Sequence, residues 1–245
     1  MKKLIVAFLL AASPMLGLAA GGNVHLDDAD IDLSDQASLQ RGAKYFMNYC
    51  LSCHSAKYQR YNRMAKDLGL TEQEVIDNLM FTTDKIGDTM NIAMTADKGT
   101  EWFGNPPPDL SVIARARGVD WIYTYLRSFY LDETRPFGVN NHVFPDVGMP
   151  NVLWQLQGDQ KAVYKTVTHD GVESEELERL EQASEGTMSP EEFDQVARDI
   201  TAFLSYIGEP IQMERKRLGV WVLLFIAVFF VLSYLLKKEY WKDVH

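Results

Sequence analysis

The five residues "CLSCH", from Cys50 to His54, constrain the fold more than any other stretch, because they hold the only two cysteines in 245 residues. A disulfide across two intervening residues would constrain the unfolded chain little. A redox dithiol favours a βαβ context that the flanking sequence lacks, and zinc needs four ligands where this stretch offers three. Cys-x-x-Cys-His is the attachment motif of c-type haem. We therefore predict one covalent haem c, joined to Cys50 and Cys53, with His54 as an iron ligand.

The N-terminus has the order of an export signal. Lys2 and Lys3 precede an apolar run over residues 4–12, and small residues follow at 17, 19 and 20. The run is too short to span a bilayer core of about 30 Å, so we expect a cleaved signal peptide over residues 1–20. An uncleaved anchor is the alternative.

Residues 218–236 form a run of nineteen residues without a charge, which is nearly long enough to cross a membrane as a helix. Basic residues flank both ends, so the positive-inside rule alone does not orient it. The export signal and the haem motif place the preceding chain outside. We expect a periplasmic haem domain over 21–210, an anchor over 211–236 and a cytoplasmic tail over 237–245, in the bacterial inner membrane. A buried core helix is the alternative for the apolar run.

Between these segments the pattern is helical. A helix is predicted to begin near Ser34 or Asp35 and to deliver Cys50 at its end, and Thr71 with Glu74 forms a capping-box sequence. Ser189, Pro190 and Glu192 mark another helix start, after which apolar residues recur at helical spacing. Those residues are Phe193, Val196, Ala197, Ile200, Phe203, Leu204 and Ile207.

The helical pattern is weaker in the other segments of the domain. Residues 109–117 suggest a short helix that Gly118 interrupts, and residues 120–130 suggest another. Strand signals are weak throughout, and residues 80–108 and 132–153 look like loops wrapped around a cofactor. The predicted fold class is mainly α: a cytochrome c-like haem domain with long loops, followed by one C-terminal transmembrane helix.

The domain is acidic, with 31 acidic and 16 basic residues between positions 21 and 210. Residues 170–194 hold ten of the acidic residues against a single Arg179, and a second cluster lies over 27–35. Such segments are either solvated, partly disordered surface or a negative face that steers a basic protein partner. We expect no nucleic-acid partner.

The haem iron needs a second axial ligand unless its site is open, and the candidates are ten methionines and the remaining histidines. Met149 stands out because Gly148 permits close backbone approach and Pro150 stiffens the loop. His142 is the alternative, while Met47 and Met188 fit core and helix-start positions. A thioether ligand would favour electron transfer, whereas an open site would favour gas binding or peroxide chemistry.

Several motifs occur in one order along the chain, and together they resemble the cytochrome c1 family. They are "CLSCH", "NPPPDLSVIARAR" over 105–117, "GMP" over 148–150, "TMSPEEFDQVARDITAFLSYIGEP" and "ERKRLGVWVLL". The resemblance implies haem attachment at Cys50 and Cys53, iron ligation by His54 and Met149, and a propionate contact for Arg117. It also places Pro108, in the Pro-Pro-Asp-Leu-Ser element, in the cofactor-binding set. The single proline after Met149 and the loose match over 129–141 depart from the family pattern.

The resemblance also implies a function. The chain would be the electron-transfer subunit of the quinol:cytochrome c oxidoreductase, or bc1 complex, without enzymatic activity of its own. It would take electrons from the Rieske iron–sulfur protein and pass them to a c-type cytochrome, beside cytochrome b and in a dimeric complex. The alternatives are an anchored cytochrome of another assembly, such as a terminal oxidase or a denitrification chain, and a haem sensor with a displaceable ligand.

Overall fold

The computed structural model describes residues 24–169 and 172–242. The predicted signal peptide lies outside these residues, as do the last three residues of the predicted tail. The helices are α1 (Gln36–Tyr45), α2 (Tyr61–Asp67), α3 (Glu72–Leu79), α4 (Ala96–Phe103), α5 (Ile113–Arg117), α6 (Val119–Arg127), α7 (Trp154–Gln157), α8 (Pro190–Gly208) and α9 (Gln212–Tyr240). The strands are β1 (Ala56–Arg60), β2 (Thr89–Met90), β3 (Phe129–Leu131), β4 (Val139–Asn141), β5 (Gln160–His169) and β6 (Val172–Gln182). They pair as three antiparallel two-stranded sheets, β1 with β2, β3 with β4 and β5 with β6.

Helix α1 begins where the sequence predicts. The Asp35 carboxylate caps it by accepting a hydrogen bond from the Ser38 N–H at 3.1 Å, which satisfies one of the free donors of the first turn. The helix continues directly into a π-helical turn, Phe46–Cys50. This turn carries Cys50 into the interior at the end of the helix, as expected.

Helix α8 packs its apolar face into the hydrophobic core. Ser189 and Glu192 make the predicted capping box, and Pro190 occupies the first turn, where its missing N–H costs nothing. All seven apolar residues predicted to face inward are buried. The helix packs on α1, where the rings of Phe46 and Phe203 lie 5.4 Å apart.

An ion pair between the exposed Arg41 and the buried Asp199 also joins α1 to α8. The Asp199 side chain is 1% exposed and accepts hydrogen bonds from Arg41 Nε and Ser38 Oγ, both at 2.6 Å. These partners compensate the loss of water around the carboxylate. The contact therefore fixes the attachment helix against the core helix.

The expectation that strand signals are weak throughout is wrong for residues 160–169 and 172–182, which pair as the antiparallel β5–β6 hairpin. Strand β5 is rich in valine and threonine, which favour strands. Lys161 Nζ lies 3.3 Å from a carboxylate oxygen of Glu181 on β6, and such cross-strand pairs reduce the repulsion within an acidic strand. Residues 172–194 of the acidic stretch therefore lie in β6, in a loop and in the start of α8.

Three other segments differ from prediction. Residues 80–108, expected as loop, contain α4, which Thr95 caps by accepting from the Lys98 N–H at 3.3 Å. The helix expected over 109–117 begins only at Ile113, because residues 109–111 bond to the chain that follows His54. Residues 120–130 also divide, into α6 and β3.

Helix α9 has the length and composition of a membrane span. It contains 29 residues, its apolar window has a mean hydropathy of 2.6, and none of its residues is buried. The helix continues four residues beyond the predicted end of the anchor. The predicted fold class, a mainly α domain with long loops and one C-terminal apolar helix, is confirmed.

Candidate haem site

The two cysteines lie at the end of the attachment helix. The N–H groups of Cys53 and His54 both donate to the Cys50 carbonyl, at 3.1 and 2.8 Å, so the motif forms a tight turn. Both cysteines are free, with Cys50 buried and Cys53 half-buried. Burial raises the pKa of the Cys50 thiol to about 12, and the neighbouring Cys53 adds to the shift. The unmodified side chain is therefore a neutral thiol.

The His54 ring is held by one hydrogen bond. Its Nδ1 lies 2.8 Å from the Pro108 carbonyl oxygen, so Nδ1–H donates and Nε2 keeps its lone pair. Burial lowers the pKa of His54, although the Pro108 carbonyl and the nearby Asp109 oppose this shift. A neutral imidazole whose other nitrogen is anchored is the form that binds a metal.

Asp109 explains how the Pro-Pro-Asp-Leu-Ser element reaches His54. Its carboxylate accepts from the Ser55 hydroxyl at 2.7 Å, the Lys57 N–H at 3.0 Å and the Ser111 N–H at 2.9 Å. Burial alone would raise the pKa of Asp109, but hydrogen bonds from Ser111, Lys57 and Ser55 outweigh it and lower the pKa. The element is thus attached to the chain beyond His54, which sets the Pro108 carbonyl against the imidazole.

Helix α4 brings the predicted ligand loop near this element. A Cβ at Gly99 would lie 2.8 Å from Pro107 Cδ, and a Cβ at Gly148 would lie 3.1 Å from the Phe103 carbonyl oxygen. The middle of this short helix therefore contacts the chain before Pro108, and its last residue contacts the chain before Met149. A side chain at Gly99 would force a neighbour to shift, whereas one at Gly148 would only be in tight contact.

Met149 is half-buried, and its sulfur has a hydrogen-bond donor. The Tyr125 hydroxyl donates to Sδ at 3.2 Å. Burial raises the pKa of Tyr125, so the phenol keeps its proton. The Tyr125 ring also stacks on Trp121, with centroids 4.9 Å apart.

Arg117 is exposed and stands over aromatic rings. Its guanidinium carbon lies 5.1 Å from the Trp121 centroid and 5.7 Å from that of Phe144, within the range of cation–π attraction. Within residues 24–169 and 172–242, no carboxylate forms an ion pair with it. Its planar donor fork can therefore bind a carboxylate of a cofactor.

The other candidate ligands have different surroundings. The His142 N–H donates to the Ser128 carbonyl at 3.1 Å, beside the end of β4, and burial lowers the pKa of its ring. Met47 is buried in the core as predicted, and Met188 packs against the core.

The donor set fits a haem. Two free thiols three residues apart, an imidazole with Nε2 unengaged, a thioether and an unpaired guanidinium are the groups that attach, ligate and orient haem c. Four large apolar side chains from the surrounding segments are also at least 40% exposed, although such residues normally avoid water. They are Trp102, Val112, Phe137 and Phe144.

Sequence reasoning missed Asp109, Trp121 and Tyr125. Asp109 lies in the Pro-Pro-Asp-Leu-Ser motif, but the sequence did not show that its carboxylate bonds to Ser55 and Lys57, which follow His54. Trp121 and Tyr125 are four residues apart, which places them on one helix face. The spacing did not show that this face points toward Met149.

This fold and donor set define a class, the mainly α c-type cytochromes with a single C-terminal apolar helix. A family model described as the Cytochrome C1 family matches residues 29–244. The chain is 57% identical over 245 residues to cytochrome c1 of Allochromatium vinosum, with both chains fully covered. It is 47% identical over 244 residues to a Nitrosomonas europaea protein named ammonia monooxygenase gamma subunit, covering 100% of this chain and 98% of that protein. It is 28% identical over 247 residues to the mitochondrial cytochrome c1 heme protein of Kluyveromyces lactis, covering 93% and 78%.

The chain therefore belongs to the cytochrome c1 family. Proteins of this family carry one covalently attached haem c and serve electron transport in the respiratory bc1 complex. The predicted cofactor and the predicted family are confirmed. With α9 as its one candidate span within the described residues, the chain is a single-pass membrane protein.

Proposed function

We propose that Cys50 and Cys53 attach the haem, that His54 and Met149 bind its iron, and that Arg117 pairs with a propionate. The haem supplies reversible one-electron storage on its iron. The observation that carries this proposal is the His54 ring, anchored by the Pro108 carbonyl at 2.8 Å with Nε2 left for the metal. Asp109 supports it by holding Pro108 in place.

The proposed ligands, His54 and Met149, favour electron transfer over substrate chemistry. If His54 and Met149 both bind the iron, no position is left for a substrate, and the haem would supply electron transfer without bond formation. Arg117 offsets negative charge at the edge of the cofactor, and the aromatic rings beneath it limit its movement. The protein alone therefore transfers electrons and catalyses no bond rearrangement.

The electron donor would be the Rieske iron–sulfur protein, and the acceptor a c-type cytochrome. The complex would also contain cytochrome b and would be a dimer. Family membership supports these partners, and the acidic composition of the domain supports a basic acceptor.

We place the chain in a bacterial inner membrane, with a signal peptide over 1–20 and the haem domain over 21–210 on the periplasmic side. The anchor would cover 211–236 and the cytoplasmic tail 237–245. The export-signal pattern supports this orientation, because such a signal directs the chain that follows it out of the cytoplasm.

A second function has one observation in its favour. The Nitrosomonas relative is named as a subunit of ammonia monooxygenase, and the identity of 47% runs along the whole chain. An anchored cytochrome that delivers electrons to another membrane assembly would keep the same haem site. It would differ in the proteins that contact it.

Purification from native membranes separates these proposals. The full chain would carry a tag after His245 and be isolated in mild detergent, and the preparation would be tested for reduced spectra and quinol-dependent cytochrome c reduction. Co-purification of b-type haem and an iron–sulfur protein, with activity, supports the bc1 assignment. A single c-type haem isolated alone, or with an oxidase or monooxygenase, contradicts that assignment while leaving the haem site intact.

A further inference from the structure

Tyr125 makes a contact with the proposed sulfur ligand that the proposed function does not use. We propose that Tyr125 is a positioning residue that orients the Met149 thioether and raises the reduction potential through the hydrogen bond to Sδ. The inference rests on the proposed function, in which Met149 binds the iron. The carrying observation is the distance of 3.2 Å between the Tyr125 hydroxyl and Met149 Sδ.

The thioether sulfur has two lone pairs. If the Tyr125 hydroxyl engages one, the other is left to point at a metal, so the hydrogen bond selects the orientation of the Met149 side chain. A donor on the sulfur also draws electron density from it. The sulfur then stabilises an oxidised, more positive metal less than a free thioether would, which favours the reduced state.

The phenol is held so that its hydroxyl stays aimed at the sulfur. The Tyr125 ring lies nearly parallel to Trp121, at an interplanar angle of 10°, and meets Phe129 edge-on at 5.1 Å. The Tyr125 carbonyl also accepts a hydrogen bond from Asn141 Nδ2 at 2.9 Å. Ring and backbone are thus fixed from three sides.

The helix that carries Tyr125 is anchored on its other side by the N-terminal segment. The Asp27 N–H donates to Thr124 Oγ1 at 2.8 Å, and the Ala29 N–H donates to Asp120 Oδ1 at 2.9 Å. Arg127 adds ion pairs of 2.6 Å to both Asp27 and Asp194. These contacts fix α6 against the N-terminal segment and the start of α8.

Tyr125→Phe tests the proposal because it removes only the hydroxyl and keeps the ring that stacks on Trp121. Tyr123→Phe is the matched control, since it removes a phenol from the same helix, where the ring lies 4.6 Å from the Arg127 guanidinium carbon. The full chain would be measured in its native complex by redox titration. The methionine-to-iron charge-transfer band of the oxidised protein and the haem content would be recorded beside it.

We expect Tyr125→Phe to lower the reduction potential while haem content and the charge-transfer band are retained, and Tyr123→Phe to leave the potential unchanged. In a Met149→Leu background, Tyr125→Phe should cause no further shift. An unchanged potential in Tyr125→Phe, or an equal shift in the Met149→Leu background, overturns the role of Tyr125. If Met149→Leu itself leaves band and potential unchanged, the ligand assignment in the proposed function fails instead.

Discussion

Replacement of Met149 by leucine removes the proposed sulfur ligand while keeping a side chain of similar volume. We expect a lower reduction potential, because a thioether ligand raises the potential of a haem iron. Carbon monoxide should then bind the reduced protein, because loss of the thioether would leave the iron one ligand short. Redox titration and the carbon monoxide difference spectrum measure both effects. Met47→Leu is the matched control, since Met47 is a core residue, and an identical outcome for the two variants would refute the assignment.

Asp109 offers a second test of a single side chain. Asp109→Ala leaves the Ser55 hydroxyl and the N–H groups of Lys57 and Ser111 without their acceptor. Lost hydrogen bonds to a charged group of this kind cost about 2 kcal/mol of unfolding free energy. Denaturant unfolding of the haem-loaded domain measures the loss, with the exposed Asp84→Ala as control. Equal stability of the two variants would show that Asp109 does not hold the Pro108 element in place.

At the scale of elements, the contact between α1 and α8 depends on one glycine. A Cβ at Gly42 would overlap the Asp199 carbonyl oxygen and lie 2.8 Å from Phe203 Cβ. Although alanine normally stabilises a helix relative to glycine, we expect Gly42→Ala to destabilise the domain by about 1–3 kcal/mol through overpacking.

Gly87→Ala is the matched control, because a Cβ there would meet nothing within 4 Å. Thermal unfolding of the two variants compares them directly. If Gly42→Ala were as stable as Gly87→Ala, the close approach of α1 and α8 would not be as tight as described.

The elements also show what sequence reasoning reaches. The starts of α1, α3 and α8 were predictable because a capping residue and its partner lie within one turn of each other. The β5–β6 hairpin depends on pairing between strands, and its acidic strand looked like solvated surface. A local signal did exist, since Asp170-Gly171 is a typical hairpin-turn sequence.

The same limit applies to the site. Cys50, Cys53 and His54 could be proposed because their chemistry depends on spacing along the chain. Tyr125 could not, since its contact with Met149 spans 24 positions. Contacts of that range depend on how the helices pack, which local patterns do not specify.

At the scale of the whole molecule, the haem domain and the membrane helix meet at a short connection. Helix α8 ends at Gly208 and α9 begins at Gln212, and the Glu209 carboxylate pairs with Arg215 across the break. The pair is exposed on the Arg215 side, so it contributes little to stability. The connection is nevertheless short enough to keep the domain near the membrane surface.

The negative charge of the domain predicts that its encounter rate with a basic electron acceptor depends on ionic strength. An acidic surface raises the encounter rate with a basic protein, and dissolved salt screens that attraction beyond a Debye length of about 8 Å at physiological ionic strength. We expect the rate of electron transfer to a basic c-type cytochrome to fall about tenfold between low and high salt. Stopped-flow reduction of the acceptor measures this.

Two variants locate the responsible charges. Neutralising Glu175 and Glu185, both exposed in or beside the β5–β6 hairpin, should reduce the low-salt rate and flatten its salt dependence. Neutralising the exposed Glu72 and Asp84 removes the same charge elsewhere on the chain. If both double variants lower the rate equally, the total charge of the domain drives the encounter. If neither variant changes the rate and the unmodified protein shows no salt dependence, the acidic segments do not steer the acceptor.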